Sequence, residues 1–283
     1  MKADQKTGGL NRLIICPGLF FKLFGDENMS RIKKTLLGLT IPVIVVALWL
    51  YATNFLDVSP SILPRISKVG IALVDLIKKG TLPKDISISL VRVVRGYVFS
   101  ITIGILLGTA MGMFPVVYQI FHGPVTTIRQ IPNIAWIPLI ILWFGIKELS
   151  KTVIIVIAAF FPIMTNTLNG ILSTPHGFIE LAQLYNLSKW KTFRKVYLPH
   201  ALPHILVGLK LGLGVSWMAL VAAELIASSS GIGYRLSDAR SLMRSDIVIV
   251  CMIVIGITGI IMDKIISLIF RFLTPWEKKK ADI

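Results

Sequence analysis

The residues of this 283-residue chain that are able to do chemistry are few, and most are charges or polar groups inside apolar runs. Arg92 and Arg95 stand one helical turn apart in SLVRVVRGY, near the start of a long apolar stretch. Glu224 is the one carboxylate of a later stretch, SWMALVAAELIASSS. A charge within a membrane-spanning helix is costly and faces a partner, a water-filled path or the headgroups. Arg92 and Arg95 therefore either snorkel to the outer headgroups or serve an anion path. Glu224, four residues before Ser228, either orients its neighbours through hydrogen bonds or lines a path. Ser216 and Trp217 lie deeper and are alternative path-lining residues. Asn166 and Asn169 are expected to hydrogen-bond between helices, and Lys210 to snorkel. Covalent chemistry finds no constellation. The four histidines are scattered without HExxH, and Cys16 and Cys251 lie far apart without CxxC, so neither a zinc site nor a disulfide framework is supported. There is no GxxxxGK[ST] phosphate loop, so ATP hydrolysis, if it drives this protein, belongs to another chain.

The elements that must position these groups are membrane spans. The chain is 54% hydrophobic, with a mean hydropathy of +0.77, too apolar for a soluble protein of this size. Apolar segments of about 20 residues, enough to cross roughly 30 Å of hydrocarbon, recur along it. The expected spans are 36–55, 86–113, a broken one over 134–144, 150–172, 199–228 and 247–270. The formal charge of +16 could indicate nucleic acid. The basic residues, however, lie between spans and at both ends, which suits cytoplasmic flanks and anionic headgroups. Arg31, Lys33 and Lys34 place the N-terminus inside, and Arg271, Trp276 and Lys278 to Lys280 anchor the C-terminus there. The division expected is a cytoplasmic tail (1–35), a first transmembrane helix (36–56), an outer amphipathic linker (57–85), a five-helix core (86–276) and a cytoplasmic tail (277–283). Within the linker, Ile66, Val69, Leu73, Leu76 and Ile77 fall at helical spacing.

Pro115, Pro124, Pro132 and Pro138 forbid one unbroken helix between residues 115 and 145. A short interfacial helix followed by a broken span is expected there, either as a gate or as a structural kink. Gly104, Gly108 and Gly112 make two GxxxG steps, and Gly208 and Gly212 a third, which predicts close helix packing. Residues 229–246 read as an outer loop broken by Gly231 and Gly233. Tyr234, Arg235, Asp238, Arg240 and Arg244 in it either meet a delivery protein or are simply solvated.

The stretch 174–199 is the long polar, basic interruption of the apolar C-terminal half. Thr174 is a candidate helix N-cap, with Pro175 at the first helical position. Phe178, Leu181, Ala182 and Tyr185 fall on one face, and Asn186 suits a left-handed turn. Ser188 can cap a second short helix carrying Trp190, Phe193, Val196 and Tyr197, closed by Leu198 and Pro199. Two short amphipathic helices with Lys189, Lys191, Arg194 and Lys195 opposite the apolar knobs have the form of a helix-in-groove docking element.

This stretch resembles the "EAA" loop of ABC-transporter permeases. The matching positions are Glu180, Leu181, Ala182, Asn186, Val196, Leu198 and Pro199, with Leu181 where the family usually has Ala and Asn186 where it usually has Gly. Over roughly residues 60–276 the chain is similar to the nitrate/sulfonate/taurine branch, through SLVRVVRGY, IPNIAWIPLIILWFGI, FFPIMTNTLNGI, SWMALVAAELIASSSGIGY and FLTPW. The resemblance implies an all-α membrane protein of about six transmembrane helices with a type I ABC importer permease core, in the bacterial inner membrane. It implies two ATP-binding subunits, docked through Glu180, Leu181, Ala182, Tyr185, Asn186, Leu198 and Pro199. A second permease copy and an extracytoplasmic solute-binding protein complete the expected assembly. ATP and Mg²⁺ would sit on the ATPase, with no cofactor on this chain. The substrates implied are an aliphatic sulfonate or taurine first, nitrate second and another small polar solute third. The competing reading is an ion-coupled secondary transporter or channel, with Glu224, Arg92 and Arg95 as coupling groups. The docking-type loop and the scarcity of acidic groups within spans stand against it.

Overall fold

The computed structural model describes residues 31–56 and 58–273. The N-terminal tail expected over 1–35 lies largely outside these residues, as do the anchors Trp276 and Lys278 to Lys280. The chain divides into two units at Val58. In the first, α1 (Arg31–Phe55) is apolar around its circumference over Leu37–Phe55, as a lipid-embedded helix is, and contains Pro42.

The second unit is helical throughout its described residues. It contains α2 (Ile66–Lys78), α3 (Thr81–Met113), α4 (Pro115–Ile128), a 3₁₀ turn (Asn133–Ala135), α5 (Trp136–Phe144) and α6 (Glu148–Leu172). These are followed by α7 (His176–Leu184), α8 (Lys189–Thr192), a π turn (Phe193–Tyr197), α9 (Leu198–Ala227), α10 (Ile232–Ser241) and α11 (Ser245–Leu273). Among the described residues, five helices are long and apolar enough to cross a membrane. The pair formed by α4 and the 3₁₀ turn with α5, bent by 82°, makes a sixth if it counts as one broken span.

Helix α6 is the centre of the unit, packed between α3 and α9. Lipid is as apolar as leucine, so close van der Waals approach and not the hydrophobic effect must hold these helices together. The glycines supply that approach. A Cβ on Gly108 would lie 2.6 Å from the Met164 carbonyl oxygen, and one on Gly208 would lie 2.7 Å from the Asn166 Cβ. Ile155, Ile163 and Met164 of α6 fill the space so opened and are fully buried. On α2, Val69, Ala72 and Leu76 form the buried face, while Ile71, Val74 and Ile77 point outward.

Four expectations need correction. Helix α3 starts at Thr81 and not at residue 86, because Gly80 (φ +69°) turns the chain directly out of α2 and Pro83 is tolerated in a first helical turn. Residues 229–246 are mostly helix, α10, and not a loop. Thr174 caps nothing. Pro175 (ψ 134°) is itself the N-cap of α7, and the Thr174 hydroxyl is buried with no hydrogen-bond partner among the described residues. Lys210 does not simply snorkel, since its Nζ lies 3.2 Å from Asp263 of α11.

Candidate functional site

At one end of the bundle α3 and α6 begin, α9 ends and α10 begins. There α3 presents Asp85, Ser89 and Arg92 on one face, at intervals of four and three residues. Arg92 is only 5% exposed. Its Nε and Nη2 donate to the two oxygens of Glu148, at 2.8 and 2.5 Å. Its Nη1 donates to Glu224 Oε1 at 2.7 Å and to the Ser230 carbonyl at 2.8 Å, and Nη2 also reaches Ser230 Oγ at 2.9 Å. A guanidinium has five N–H donors, and all five are engaged. Glu224, 1% exposed, further accepts hydrogen bonds from Ser89 Oγ at 2.9 Å and from the Gly233 N–H at 3.0 Å. Asp85 accepts from Arg235 Nε at 2.8 Å and from the Gly231 N–H. Gly231 (φ +104°) admits no side chain, because a Cβ there would fall within 2.5 Å of the Glu224 carboxyl carbon. Lys151, 3.7 Å from Glu148, completes a cluster in which three cations face three carboxylates.

The cluster explains the polar residues found inside apolar runs, but it leaves Arg92 and Glu224 nothing to offer a solute. Arg92 does not snorkel. Arg95, one turn on, is exposed and unpaired among the described residues, beside an outer recess it shares with Glu148 and Ser230. Ser216 and Trp217 are not part of the cluster. Ser216 is fully buried and donates back to the Leu213 carbonyl, and Trp217 Nε1 donates to the Ile255 carbonyl at 3.2 Å. Glu148, Asp85 and Ser89 were not singled out from the sequence, and Arg235, expected on the surface, is instead paired with Asp85. The spacing of Asp85, Ser89 and Arg92 along α3 was a signal available for two of them.

At the opposite end lies the stretch 174–199. Helix α7 closes in a Schellman motif: the Leu187 N–H bonds to the Ala182 carbonyl at 3.0 Å and the Asn186 N–H to that of Gln183 at 2.9 Å. Asn186 sits at φ +50°, the left-handed conformation expected of it. Ser188 accepts a hydrogen bond from the Lys191 N–H and caps α8. Helix α8 does not end at Leu198 and Pro199, however. The chain runs through the π turn into α9, so residues Lys189–Ala227 form one continuous helical segment. Pro199 has no N–H to donate and crowds the carbonyl four residues back, and the wider π turn just before it makes room for both defects. Ala182 is buried, whereas Glu180, Leu181, Tyr185, Leu198 and Pro199 are exposed. Phe178, Leu184 (78% exposed) and Trp190 extend the outward apolar face, and Lys189, Lys191, Arg194 and Lys195 are exposed beside it.

The family described as binding-protein-dependent transport system inner membrane component matches residues 100–279. This chain belongs to that family. The permease is 35% identical over 243 residues to the taurine transport system permease protein TauC of Escherichia coli (strain K12), covering 84% of this chain and 88% of that one. It is 34% identical over 240 residues to SsuC of Bacillus subtilis (strain 168), a permease assigned to aliphatic sulfonates transport, covering 85% and 87% of the two chains. In fold it matches the crystal structure of an amino acid ABC transporter with histidines, with a TM-score of 0.57 at 16% identity, covering 70% of this chain and 97% of that one. The permease is thus an inner-membrane subunit of an ABC importer, with the type I permease fold. Beside the break between α4 and α5 it carries an open recess of about 410 Å³ lined by Arg129, Asn133, Asn166 and Val215, none of them expected as a path residue.

Proposed function

We propose that this permease imports an aliphatic sulfonate, with taurine foremost, as one of two identical copies that together enclose the pathway. Each copy docks an ATP-binding subunit through residues 178–197, and ATP and Mg²⁺ reside on that subunit. A solute-binding protein delivers the ligand from outside. The observation that carries the substrate is the similarity, along more than four-fifths of the chain, to proteins named for taurine and for aliphatic sulfonates. Support for the docking role comes from the exposed apolar face around Leu181, Leu184 and Tyr185, which has no partner within the described residues and is rimmed by basic side chains. Glu180 fixes α7 in the ATPase groove, and the apolar knobs fill it.

The continuity of α8 with α9 gives the coupling a physical route. From Lys189 to Ala227 the helical segment is about 57 Å long at 1.5 Å per residue. Closure of the ATPases on nucleotide displaces α7 and α8, and α9 moves with α8 because the helical segment is continuous. Uptake of labelled taurine by cells with and without this gene, repeated after ATP depletion, tests the whole reading. Gene-dependent uptake that disappears without ATP supports it. Uptake that persists and follows an ion gradient overturns the ATP-driven mechanism, and uptake of nitrate in place of taurine overturns the substrate. Glu180→Lys is expected to lower coupled uptake and ATPase co-purification while membrane insertion stays normal. If uptake and co-purification both match the wild type, the docking assignment is wrong.

A further inference from the structure

The break between α4 and α5 leaves a cation where a spanning helix ordinarily has none. Residues 129–132 join the two helices, and the chain turns there by 82°. Irregular backbone within a membrane is tolerated where it faces protein or a water-filled path. Arg129 lies in this break and lines the recess of about 410 Å³. That recess is open to the surface but lies midway along the helices that form its wall. Ala158 on its wall is ten residues into α6 and Val215 is twelve residues from the end of α9, about 15 and 18 Å along the two helices.

Most polar groups of this recess are unspent, whereas several cations elsewhere in the bundle are paired. Arg92, Arg235 and Lys210 are each paired with carboxylates. Arg129 makes no ion pair or side-chain hydrogen bond among the described residues, and it is the one charged residue lining the cavity. Thr102, Thr127, Thr152 and Thr167 each satisfy their hydroxyl on the carbonyl four residues back. Thr165, on the cavity wall, does not. Asn166 spends one amide N–H on the Pro162 carbonyl at 2.8 Å, which leaves the other for a ligand. A guanidinium, a hydroxyl and two carboxamides around one space form a donor set for a single oxyanion. Phe161, Leu211 and Val215 supply an apolar wall beside it. A second cavity, of about 260 Å³, shares Arg129 and Thr165 and continues past Asn169 to Leu172, at the end of α6 that leads into the docking stretch.

We infer that Arg129, with Asn133, Thr165 and Asn166, forms the mid-membrane site that holds the sulfonate head group during passage, while Phe161, Leu211 and Val215 receive its alkyl part. The second cavity is the onward route toward the inner end. This inference rests on the proposed import of a small anion. It moves the substrate path away from Arg92 and Glu224 toward the middle of α6 and α9.

The test uses the assembled importer, with its ATPase and its binding protein, in proteoliposomes supplied with ATP and labelled taurine. Arg129→Gln is expected to lower uptake at least about tenfold, the scale of losing a charge-assisted hydrogen bond. ATP hydrolysis stimulated by the loaded binding protein is retained, and Arg129→Lys recovers part of the uptake. Thr165→Val, which preserves shape, raises KM for taurine with stimulated hydrolysis unchanged. Uptake by Arg129→Gln within twofold of wild type overturns the site, as does an unchanged KM in Thr165→Val should Arg129→Gln fail to assemble. If the wild type moves nitrate but not taurine, the sulfonate reading fails separately, and the oxyanion site then stands only if Arg129→Gln abolishes nitrate uptake. A wild type that moves neither anion overturns the anion reading and the site with it.

Discussion

Arg92 shows how a residue can be placed for one role and used for another. Its position inside a span suggests a path, yet all five of its donors are taken by Glu148, Glu224 and Ser230. Removing one partner of a buried ion pair leaves the other charge uncompensated, at a cost of about 3–5 kcal/mol. Arg92→Ala or Glu224→Ala is therefore expected to lower the melting temperature of the purified permease in detergent markedly. Arg92→Lys rescues only part, since an ammonium with three donors cannot reach Glu224, Glu148 and Ser230 together as the guanidinium does with five. Glu148 has a side chain 54% exposed, so water screens and replaces its contacts, and Glu148→Gln costs at most about 1 kcal/mol. Equal melting temperatures for all of these variants would refute the structural role of the cluster.

At the scale of elements, the turn after α7 is the point at which local chemistry sets the geometry of the outward face. Asn186 occupies the left-handed region, where a β-branched residue is strained by roughly 1–2 kcal/mol. Asn186→Gly keeps the Schellman closure. Asn186→Val opens it and rotates Leu187 and α8 away from α7. Co-purification of the ATP-binding subunit should survive the first change and fall severalfold in the second. Equal recovery from both would show that the turn does not orient the docking face. The π turn is the other local device. It absorbs Pro199 without breaking the helix, so a segment that looks closed by Leu198 and Pro199 is in fact the start of the longest helical segment of the permease.

For the whole molecule, that segment connects three regions: the exposed face at Lys189, the wall of the open recess at Leu211 and Val215, and the buried cluster at Glu224. Displacement at the inner end must then reach both others. Two glycines inserted after Tyr197 interrupt the connection at the π turn. The expected outcome in proteoliposomes is ATP hydrolysis that persists while taurine uptake drops at least tenfold, about 1.4 kcal/mol in coupling. Uptake and hydrolysis that remain in their wild-type ratio would exclude α9 as the route of coupling.

Much of this was legible in the chain itself. Apolar runs of spanning length, the prolines that break the region between α4 and α5, and the GxxxG steps of α3 all act within a few turns, so local order reports them directly. The left-handed Asn186 and the cap at Ser188 belong to the same class. The cluster was not legible, because its partners lie far apart along the chain: Arg92 and Glu224 are separated by 132 residues, and Arg235 and Asp85 by 150. Nor was the contrast between a spent arginine and a free one. Arg92 and Arg129 are the same residue type in similarly apolar company, and only the packing of α6 between α3 and α9 brings carboxylates to the first and an open, hydroxyl- and amide-lined cavity to the second.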